Sequence, residues 1–350
     1  MTVQTLIKDI PSPKLEKWKF SNLPGAVKNL ELTPGVAAWD MTGAFDYLDP
    51  SLRWEPPKTA EPSLWTLNAD QPADTLALRF PKGRKIDHPI HLTLEGRPGE
   101  LTTSRLKIVV EEGADVTIVE HHKGLETYWK NGATEISVGA NARLRHYRIM
   151  EDDPFAVNTQ AVNVTVRRDG AYECFTLTTG AKFSRAETHA RLLGENATAS
   201  LSGLTLLEAK QFSDTTVLIE HEAPHCPSNQ FFKTLLKDQS RGVFQGKIHV
   251  HQVAQKTDGY QLSNNLLLSP LAEMNVKPEL EIYADDVKCS HGTTTGALDE
   301  TPLFYLRSRG LTEKDARQLL IEAFLGDVSA KITDDDVRED IEARMRLWLG

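Results

Sequence analysis

Short runs of alternating apolar and polar residues dominate the middle of the chain, from about residue 63 to residue 286. The clearest runs are Leu106–Val110, Val116–Val119, Val162–Val166 and Ile248–Val250. Alternation with a period of two, enriched in valine, isoleucine and threonine, is typical of strands that bury one face. Helical periodicity is missing from this region. The pattern therefore excludes a doubly wound α/β fold, which requires a helix between successive strands.

Glycine–alanine pairs punctuate these runs at nearly regular intervals. They lie at residues 113–114, 139–140 and 170–171, and the related sequence Gly-Glu-Asn-Ala begins at residue 194, so the spacings are 26, 31 and 24 residues. A repeat of this length without helices corresponds to about one turn of a parallel β-helix. An antiparallel sandwich is the competing interpretation, and it predicts tight hairpin turns every ~8–12 residues. Few such turns are visible, so the sequence predicts a parallel β-helix over residues 63–296.

The segments on either side of the repeats have a different character. Residues 1–62 are rich in proline and glycine and predict an irregular N-terminal cap with a short helical segment at Leu15–Phe20. Residues 297–350 show a helical period and predict a C-terminal helical domain. The chain is therefore expected to consist of a cap, a mainly β body and a helical tail.

The helical tail begins with a segment from Thr301 to Gly310, in which proline follows threonine in the first turn. A second helix is capped by Thr312 and is expected to end at Gly326. A third follows Thr333 and three aspartates, whose charge suits the positive end of a helix. The predicted apolar stripes of the second and third helices are Ala316, Leu319, Leu320, Ala323 and Phe324, and Val337, Ile341, Met345 and Trp348. We expect the two stripes to pack on each other, and the β body to fold without the tail.

Composition narrows the functional classes. Hydrophobic residues make up 40% of the chain and charged residues 25%, which is typical of a globular protein. The net charge of −9 argues against a general nucleic-acid binder, and no apolar stretch approaches the ~18 residues of a membrane helix. Lys8 and Asp9 interrupt the N-terminal segment, so no secretory signal is expected and the predicted location is cytoplasmic.

Three cysteines, Cys174, Cys226 and Cys289, are separated by 52 and 63 residues. An odd number of widely spaced cysteines without a Cys-x-x-Cys pair fits neither a disulfide framework nor a zinc site within one short segment. Each is by default a small buried apolar residue, unless its neighbours indicate a different role.

The most polar segment of the β region is His221–Gln230. Pro224 and Pro227 prevent a helix there, and the histidine spacing differs from the His-Glu-x-x-His pattern of zinc proteases. A metal site is an alternative, but a strand end with a hydrogen-bonded turn explains the segment better. His249 and His251 lie two residues apart on a predicted strand, so they share a face, which we expect to be the hydrated outer surface.

The segment Asp285–Gly292 has a more specific pattern, because Cys289 and His291 lie two residues apart just before the β region ends. In an extended strand, both side chains point the same way. A thiolate and an imidazole are good ligands for iron or an iron–sulfur species, and the same pair could serve as a Cys–His nucleophile. Two ligands cannot complete a tetrahedral site, so a metal here requires ligands from elsewhere, which a second chain could provide.

The same segment carries a resemblance to a known family. Residues 285–296 (DDVKCSHGTTTG), continued by Leu303–Gly310, resemble the C-terminal signature of the SufB/SufD family of iron–sulfur cluster assembly proteins. Further matches are Leu15–Phe20, Ser228–Lys233, Phe244–Ile248, Ala254–Thr257, Asn265–Ser269 and Pro278–Ile282. SufB proteins carry a Glu-His-Glu-type segment where this chain has Lys288–Gly292, so the resemblance is to the SufD branch. Phe20 replaces the tyrosine that is usual in the N-terminal motif of that branch.

This resemblance implies a right-handed parallel β-helix with flanking helices, which acts as a scaffold and not as an enzyme. It implies pairing with SufB through the β-helix, binding of the ATPase SufC through the C-terminal helices, and sulfur supply from a SufS-type cysteine desulfurase. No tightly bound cofactor is expected, because iron or a nascent cluster is shared transiently with SufB and ATP is bound by SufC. Without SufB, the chain could pair with itself.

His291, with Cys289 beside it, is the metal ligand that the resemblance implies at the SufB interface. The residues expected to contact SufC are Leu303, Phe304, Tyr305, Arg307, Arg309, Leu320 and Phe324. The alternative class is a carbohydrate-active β-helix enzyme, a lyase or hydrolase that uses carboxylates along one face. The expected lack of a secretory signal argues against that class.

Overall fold

Two long sheets form the body of the protein. The structure is a computed structural model and describes residues 9–57 and 61–350. In these residues, successive strands fall alternately into two nine-stranded sheets. The chain therefore winds through about eight turns of a parallel β-solenoid, which confirms the predicted fold class.

The strands of the first sheet are β1 (Thr33–Val36), β3 (Thr75–Phe80), β5 (Glu100–Val110), β7 (Trp129–Val138), β9 (Val157–Val166), β11 (Phe183–Leu192), β13 (Phe212–His221), β15 (Arg241–Val250) and β17 (Glu273–Ile282). The strands of the second sheet are β2 (Trp39–Thr42), β4 (Ile90–Gly96), β6 (Asp115–Gly124), β8 (Arg143–Asp152), β10 (Ala171–Gly180), β12 (Thr198–Leu207), β14 (Pro227–Leu236), β16 (Asp258–Leu267) and β18 (Lys288–Gly296). Neighbouring strands are parallel, except that β2 pairs antiparallel with β4.

A stack of residues with left-handed backbone marks one corner of the solenoid. Asn141, Asp169 and Asn196 have φ angles of 54°, 57° and 60°, a conformation that Asn and Asp tolerate well. The Asn141 N–H donates to the Arg168 carbonyl, and the Asp169 N–H donates to the Glu195 carbonyl, both at 3.0 Å. These bonds join each corner to the next turn. The glycine–alanine repeat lies beside these corners, so its period reports the length of one turn.

Alternate side chains from both sheets fill the interior of the solenoid. Its apolar core includes Ile118, Leu144, Val164, Ile219 and Phe244, all at most 1% exposed. Because successive side chains of a strand point to opposite faces, the alternation in the sequence places these residues inside. Each fully buried side chain of this kind contributes about 1.5–3 kcal/mol relative to an exposed one.

The N-terminal region packs on the outside of the first sheet. Its short elements are a 3₁₀ turn (Glu16–Trp18), helix α1 (Leu23–Val27), a second 3₁₀ turn (Phe45–Tyr47) and helix α2 (Leu64–Ala69). The ring of Trp18 is centred 3.8 Å from the guanidinium carbon of Arg185, and this buried guanidinium pairs with the buried Asp214. A cation–π contact and an ion pair therefore fix this segment on the sheet.

Two features of the N-terminal region differ from the predicted division at residue 62. Strands β1 and β2 lie in the predicted cap, yet they join the sheets by pairing with β5 and β4. Helix α2 lies where the repeats were expected to begin. Residues 1–8 and 58–60 of the predicted cap lie outside the described residues.

Three helices follow the last strand, namely α3 (Glu300–Ser308), α4 (Glu313–Ser329) and α5 (Asp335–Leu349). The side chains of Asp299, Thr312 and Asp334 cap their N-termini by accepting backbone N–H groups. The apolar faces of α4 and α5 pack on the outer face of the second sheet, against residues such as Tyr147 and Leu204. No helix in the described part of the chain is long and apolar enough to cross a membrane.

The apolar stripe predicted for α4 is wrong in part, because Leu319 is exposed. The buried residues of this helix include Ala316, Ile321, Leu325 and Val328. The helix continues past Gly326, the predicted end, since burial of two apolar residues in the last turns outweighs the cost of about 1 kcal/mol for one helical glycine. The stripe predicted for α5 is confirmed, with Ile341 and Met345 at its buried centre.

The helical tail and the β body share one hydrophobic cluster. Side chains of the second sheet that the tail covers include Phe175, Leu177, Leu206 and Leu235, each at most 1% exposed. Lys233 anchors α4 further, because its ammonium donates to a helix carbonyl and pairs with a helix aspartate. Removing the tail would expose this apolar face to water, so the expectation that the β body folds without it does not agree with the packing.

Candidate functional site

Cys289 and His291 lie on β18, the last strand of the second sheet. Within the described ranges β18 pairs only with β16, so that Cys289 lies opposite Gly259 and His291 lies opposite Gln261. The two side chains share a face of the strand, as their spacing predicts. No strand in the described part of the chain pairs with the other edge of β18.

The face that carries these residues is the inner wall of the solenoid. The residues in register with His291 on the preceding strands are Gln261, Gln230, Leu201, Cys174 and His146. All five are at most 7% exposed. His291 is exposed because the described chain provides no further turn above it. It therefore stands at the open end of the solenoid, where the interior meets solvent.

Cys289 is half-buried beside Ile248, Val250 and Val287, and its thiol is free. Burial raises the pKa of this thiol above its usual value. A cysteine nucleophile requires the opposite shift, so the arrangement argues against a Cys–His nucleophile pair. It is compatible with a metal ligand, because the metal ion itself favours loss of the thiol proton.

Buried carboxamides line the wall behind the open end. The side-chain oxygens of Gln230 and Gln261 accept no hydrogen bond from the residues that the structure describes. Leaving a buried acceptor unsatisfied costs about 1–3 kcal/mol, and ordered water usually satisfies such groups. We therefore expect this end of the interior to be hydrated.

The first turns of the interior contain a network of buried charges. A carboxylate oxygen of Glu120 lies 3.0 Å from His122 Nε2 and 3.3 Å from Arg148 Nε, and its other oxygen lies 2.9 Å from His146 Nε2. Burial alone would raise the pKa of Glu120, but His146, His122 and Arg148 outweigh burial and hold this pKa well below its usual range. The network thus keeps an ionised carboxylate inside the solenoid.

A second buried ion pair lies in the same early turns. Lys130 Nζ is 2.6 Å from Asp152 Oδ1, and the Tyr128 hydroxyl donates to the same oxygen at 2.7 Å. Burial lowers the pKa of Lys130. Burial would raise the pKa of Asp152, but Lys130 outweighs it and keeps this pKa below its usual value. Sequence analysis missed both networks because their members are single charged residues on different strands, which only the register brings together.

The polar segment His221–Gln230 is a strand end and a turn, as predicted. His221 is buried, with its Nε2 3.0 Å from Ser228 Oγ. His225 occupies a left-handed turn with φ of 59°, and Cys226 Sγ donates to a backbone carbonyl at 3.3 Å. Burial raises the pKa of Cys226 to about 11. Since none of these side chains belongs to a group of converging metal ligands in the described chain, the alternative of a metal site here finds no support.

The residues predicted to contact a partner through the C-terminal helices form two groups. The exposed group is Phe304, Tyr305, Arg307 and Arg309. The covered group is Leu303, which is buried, and Leu320 and Phe324, which are half-buried. The two aromatic side chains of the exposed group are 75% and 55% exposed. Adjacent exposed aromatic residues on one helix are typical of an interaction surface.

The chain is similar to known iron–sulfur cluster assembly proteins. Residues 92–324 match the family described as "SUF system FeS cluster assembly, SufBD core domain". The chain is 35% identical over 271 residues to the iron–sulfur cluster assembly protein SufD of Escherichia coli, which covers 75% of this chain and 64% of that protein. A SufBD family protein of Synechocystis is 37% identical over 281 residues, covering 76% of this chain and 62% of that protein.

A plant protein shows a similar match. Protein ABCI7, chloroplastic, of Arabidopsis thaliana is 32% identical over 289 residues, covering 79% of this chain and 60% of that protein. The matches therefore span somewhat less than two thirds of the length of these three relatives. The matched family region includes the whole middle of the solenoid, the Cys289–His291 segment and α3.

Proposed function

The chain belongs to the SufBD core family of iron–sulfur cluster assembly proteins, and we propose that it is the SufD-type scaffold subunit of a SufB–SufC–SufD complex. The observation that carries this proposal is the position of Cys289 and His291, side by side at the open end of the solenoid. A scaffold for nascent clusters needs ligands that face a partner and leave coordination positions open to it. Fully enclosed ligands would not meet this need.

SufB is proposed to pair with the open end. Strands β17 and β18 each have a single neighbour within the described chain, so both sheets end in an unpaired edge. Such edges present backbone donors and acceptors to strands of another chain. A second solenoid placed there would extend both sheets and cover the inner wall at Cys289 and His291. When SufB is absent, a second copy of this chain could occupy the same edges.

Iron or a nascent cluster is the substrate of this site. His291 would supply a neutral imidazole nitrogen and Cys289 a thiolate, and SufB would supply the remaining ligands. Burial raises the pKa of Cys289, and a bound metal ion would favour loss of this proton. The sulfur would come to the complex from a SufS-type cysteine desulfurase, so this chain needs no catalytic residue of its own.

SufC is proposed to bind the exposed side of α3. Phe304 and Tyr305 would fill apolar pockets on SufC, and Arg307 and Arg309 would border them. ATP would be bound by SufC. Because α3 follows β18 directly, movement of SufC during ATP hydrolysis would act on the chain next to the ligand strand.

The match to an assembly family favours this role over a carbohydrate-active enzyme. The cytoplasmic location stays a prediction. One relative is named as chloroplastic, so a plastid location is equally consistent with the family.

Co-expression of this chain with SufB and SufC tests the assignment. A tag on this chain should retain both partners, and His291→Ala should retain them too while the maturation of cellular iron–sulfur enzymes falls. The matched control is His88→Ala, which removes an exposed histidine from the loop before β4. Loss of both partners from the tagged wild type would refute the complex. Full maturation with the His291 variant at normal protein level would exclude His291 from the site.

A separate pair of variants tests the SufC surface. The double variant Phe304→Ala, Tyr305→Ala should release SufC and keep SufB, because these side chains touch little of their own chain. Leu347→Ala on α5 is the control, since Leu347 is 83% exposed and lies on a different helix. Retention of SufC by the double variant would place SufC elsewhere.

A further inference from the structure

Three potential ligands converge on the outer face of the first sheet. Glu220 on β13 lies opposite His249 on β15, and His251 follows just after the end of this strand. One ligand atom from each of these residues lies within 4.8 Å of the other two. The rings of His249 and His251 are centred 4.4 Å apart. The side chains of Glu220 and His249 are 20% and 19% exposed, so the group is largely withdrawn from solvent.

The hydrogen bonds of this group leave one nitrogen without a partner. Glu220 Oε1 lies 3.3 Å from His249 Nδ1, and Glu220 Oε2 lies 2.9 Å from His189 Nε2. His251 Nε2 is buried and bonds to none of the described residues. A buried polar atom without a partner is costly, and a metal ion would satisfy it. The unpartnered Nε2 of His251 therefore distinguishes a binding site from a simple row of hydrogen-bonded polar side chains.

We propose that Glu220, His249 and His251 bind a divalent first-row transition metal ion, Fe²⁺ or Zn²⁺. Two imidazoles and one carboxylate are the donor set that these ions accept, whereas Mg²⁺ and Ca²⁺ prefer oxygen ligands throughout. Metal–ligand distances of about 2.0–2.2 Å in a tetrahedral site place neighbouring ligand atoms about 3.3–3.6 Å apart. The distance of 3.3 Å between Glu220 Oε1 and His249 Nδ1 lies at the lower end of this range.

The surrounding side chains suit such a site. His189 holds the second oxygen of Glu220 and so directs the first oxygen towards His249, which is the usual role of a residue behind a metal ligand. Arg191 is a nearby cation, with its Nε 3.5 Å from Glu220, but it is held by Glu222 through bonds of 2.7 and 3.0 Å. Glu281 and Tyr283 also border the group, with Glu281 Oε1 4.0 Å from His249 Nε2 and the Tyr283 ring centred 5.7 Å from the His249 ring.

This site is separate from the Cys289–His291 pair, because it lies on the first sheet and on the outer face. The inference does not depend on the proposed function. It would hold for this chain whether or not SufB and SufC bind to it, and a variant of one site should leave the other unchanged.

Metal titration of the purified full-length chain tests the inference. Metal-free protein is titrated with Co²⁺ as a spectroscopic probe, with Zn²⁺ in competition with a chromophoric chelator, and with Fe²⁺ under anaerobic conditions. We expect one equivalent of ion in the wild type and in the double variant Cys289→Ser, His291→Ala. The separate Zn²⁺ and Fe²⁺ titrations distinguish the two ions, and general ligand preferences predict tighter binding of Zn²⁺.

Variants then identify the ligands. His249→Asn and His251→Asn should each weaken binding by about 100-fold or more, since loss of a direct ligand should match or exceed the ~10–100-fold effect of losing a residue behind it. His189→Gln should weaken binding by about 10-fold. His88→Ala should have no effect. Unchanged melting temperatures without metal would show that the variants fold. Absence of a stoichiometric ion in the wild type, or binding by both Asn variants that is as tight as in the wild type, would overturn the proposal.

Discussion

The middle turns of the solenoid and its last turn have the same strand geometry but opposite surroundings. Strands β8, β10 and β12 have ten residues each and pair on both sides, whereas β18 has nine residues and pairs on one side in the described chain. Residues in register along the inner wall are buried at Cys174 and exposed at His291. The inner side chains of a solenoid strand are therefore buried by the strands on both sides of it. In the last turn one side has no neighbouring strand within the described chain, so the inner wall is available for binding.

Polar groups divide in the same way. In the early and middle turns they are buried in compensated networks, such as Lys130 with Asp152 and Arg185 with Asp214. At the last turn, the imidazole of His291 is exposed and makes no hydrogen bond with the described residues. Removing one member of a buried pair leaves the other member buried without a partner. The imidazole of His291, in contrast, is available for ligands.

The strongest test of this contrast is to break a buried pair in the early turns. Asp152→Ala leaves the Lys130 ammonium buried without its carboxylate, so we expect a loss of about 3–5 kcal/mol in the free energy of unfolding. Urea denaturation of the isolated chain measures it. The control is Asp285→Ala, an exposed aspartate just before β18, which should change the free energy by no more than about 0.5 kcal/mol. Equal effects of the two substitutions would contradict the contrast.

The next largest loss of stability should come from weakening the packing of the C-terminal helices on the second sheet. Leu325 on α4 is 1% exposed within the cluster shared with the strands. Leu325→Ala should cost about 3 kcal/mol, because it removes buried methyl groups and leaves a cavity. Leu347→Ala, at an 83% exposed position on α5, should cost less than about 0.5 kcal/mol. A small loss for Leu325 would mean that the helices and the β body are separable after all.

The fold could be predicted from the sequence because its signals are local. Two signals can each be read within a few consecutive residues. One is the alternation within a strand, and the other is the repeat at the corners, such as the residues just before the left-handed Asn141. The end of α4 could not be predicted in this way, because Gly326 is typical of a helix end and the apolar sheet beneath the helix is what extends it to Ser329.

The sites depend on register, which single segments do not reveal. The spacing of Cys289 and His291 gave their shared face, but their position at an open end follows only from the stacking of all the turns. Glu220 meets His249 because β13 and β15 align these two residues, although they are 29 positions apart in the chain. His251 was expected on a hydrated surface, and the side chains around it instead bury its Nε2.

A smaller effect should appear as pH dependence in the early turns. Burial lowers the pKa of His122, whereas an unfolded histidine titrates near ~6.5. Below ~6.5 the unfolded chain takes up a proton that the folded chain refuses, so this stabilisation is present above ~6.5 and is lost as pH falls. Below pH ~6.5, the unfolding free energy of the wild type should therefore decrease as the pH falls. In His122→Gln this decrease should be smaller by up to about 1 kcal/mol per pH unit. Urea denaturation at several pH values measures this difference, with His88→Ala as the control. Identical pH slopes for the wild type and His122→Gln would refute the prediction.

The smallest effect on stability belongs to the last turn. His291 is exposed, its backbone is paired only on the β16 side, and its imidazole packs against no further turn of the described chain. His291→Ala should therefore change the free energy of unfolding of the isolated chain by no more than about 0.5 kcal/mol. Urea denaturation of the His291→Ala and Asp152→Ala variants under the same conditions compares the two losses of unfolding free energy directly. A loss above about 1 kcal/mol would make His291 a structural residue. In that case, lower cluster maturation by this variant would reflect instability and could not be assigned to a missing ligand. A near-zero change would allow a fall in maturation to be attributed to the ligand itself, because the scaffold around it would be unaltered.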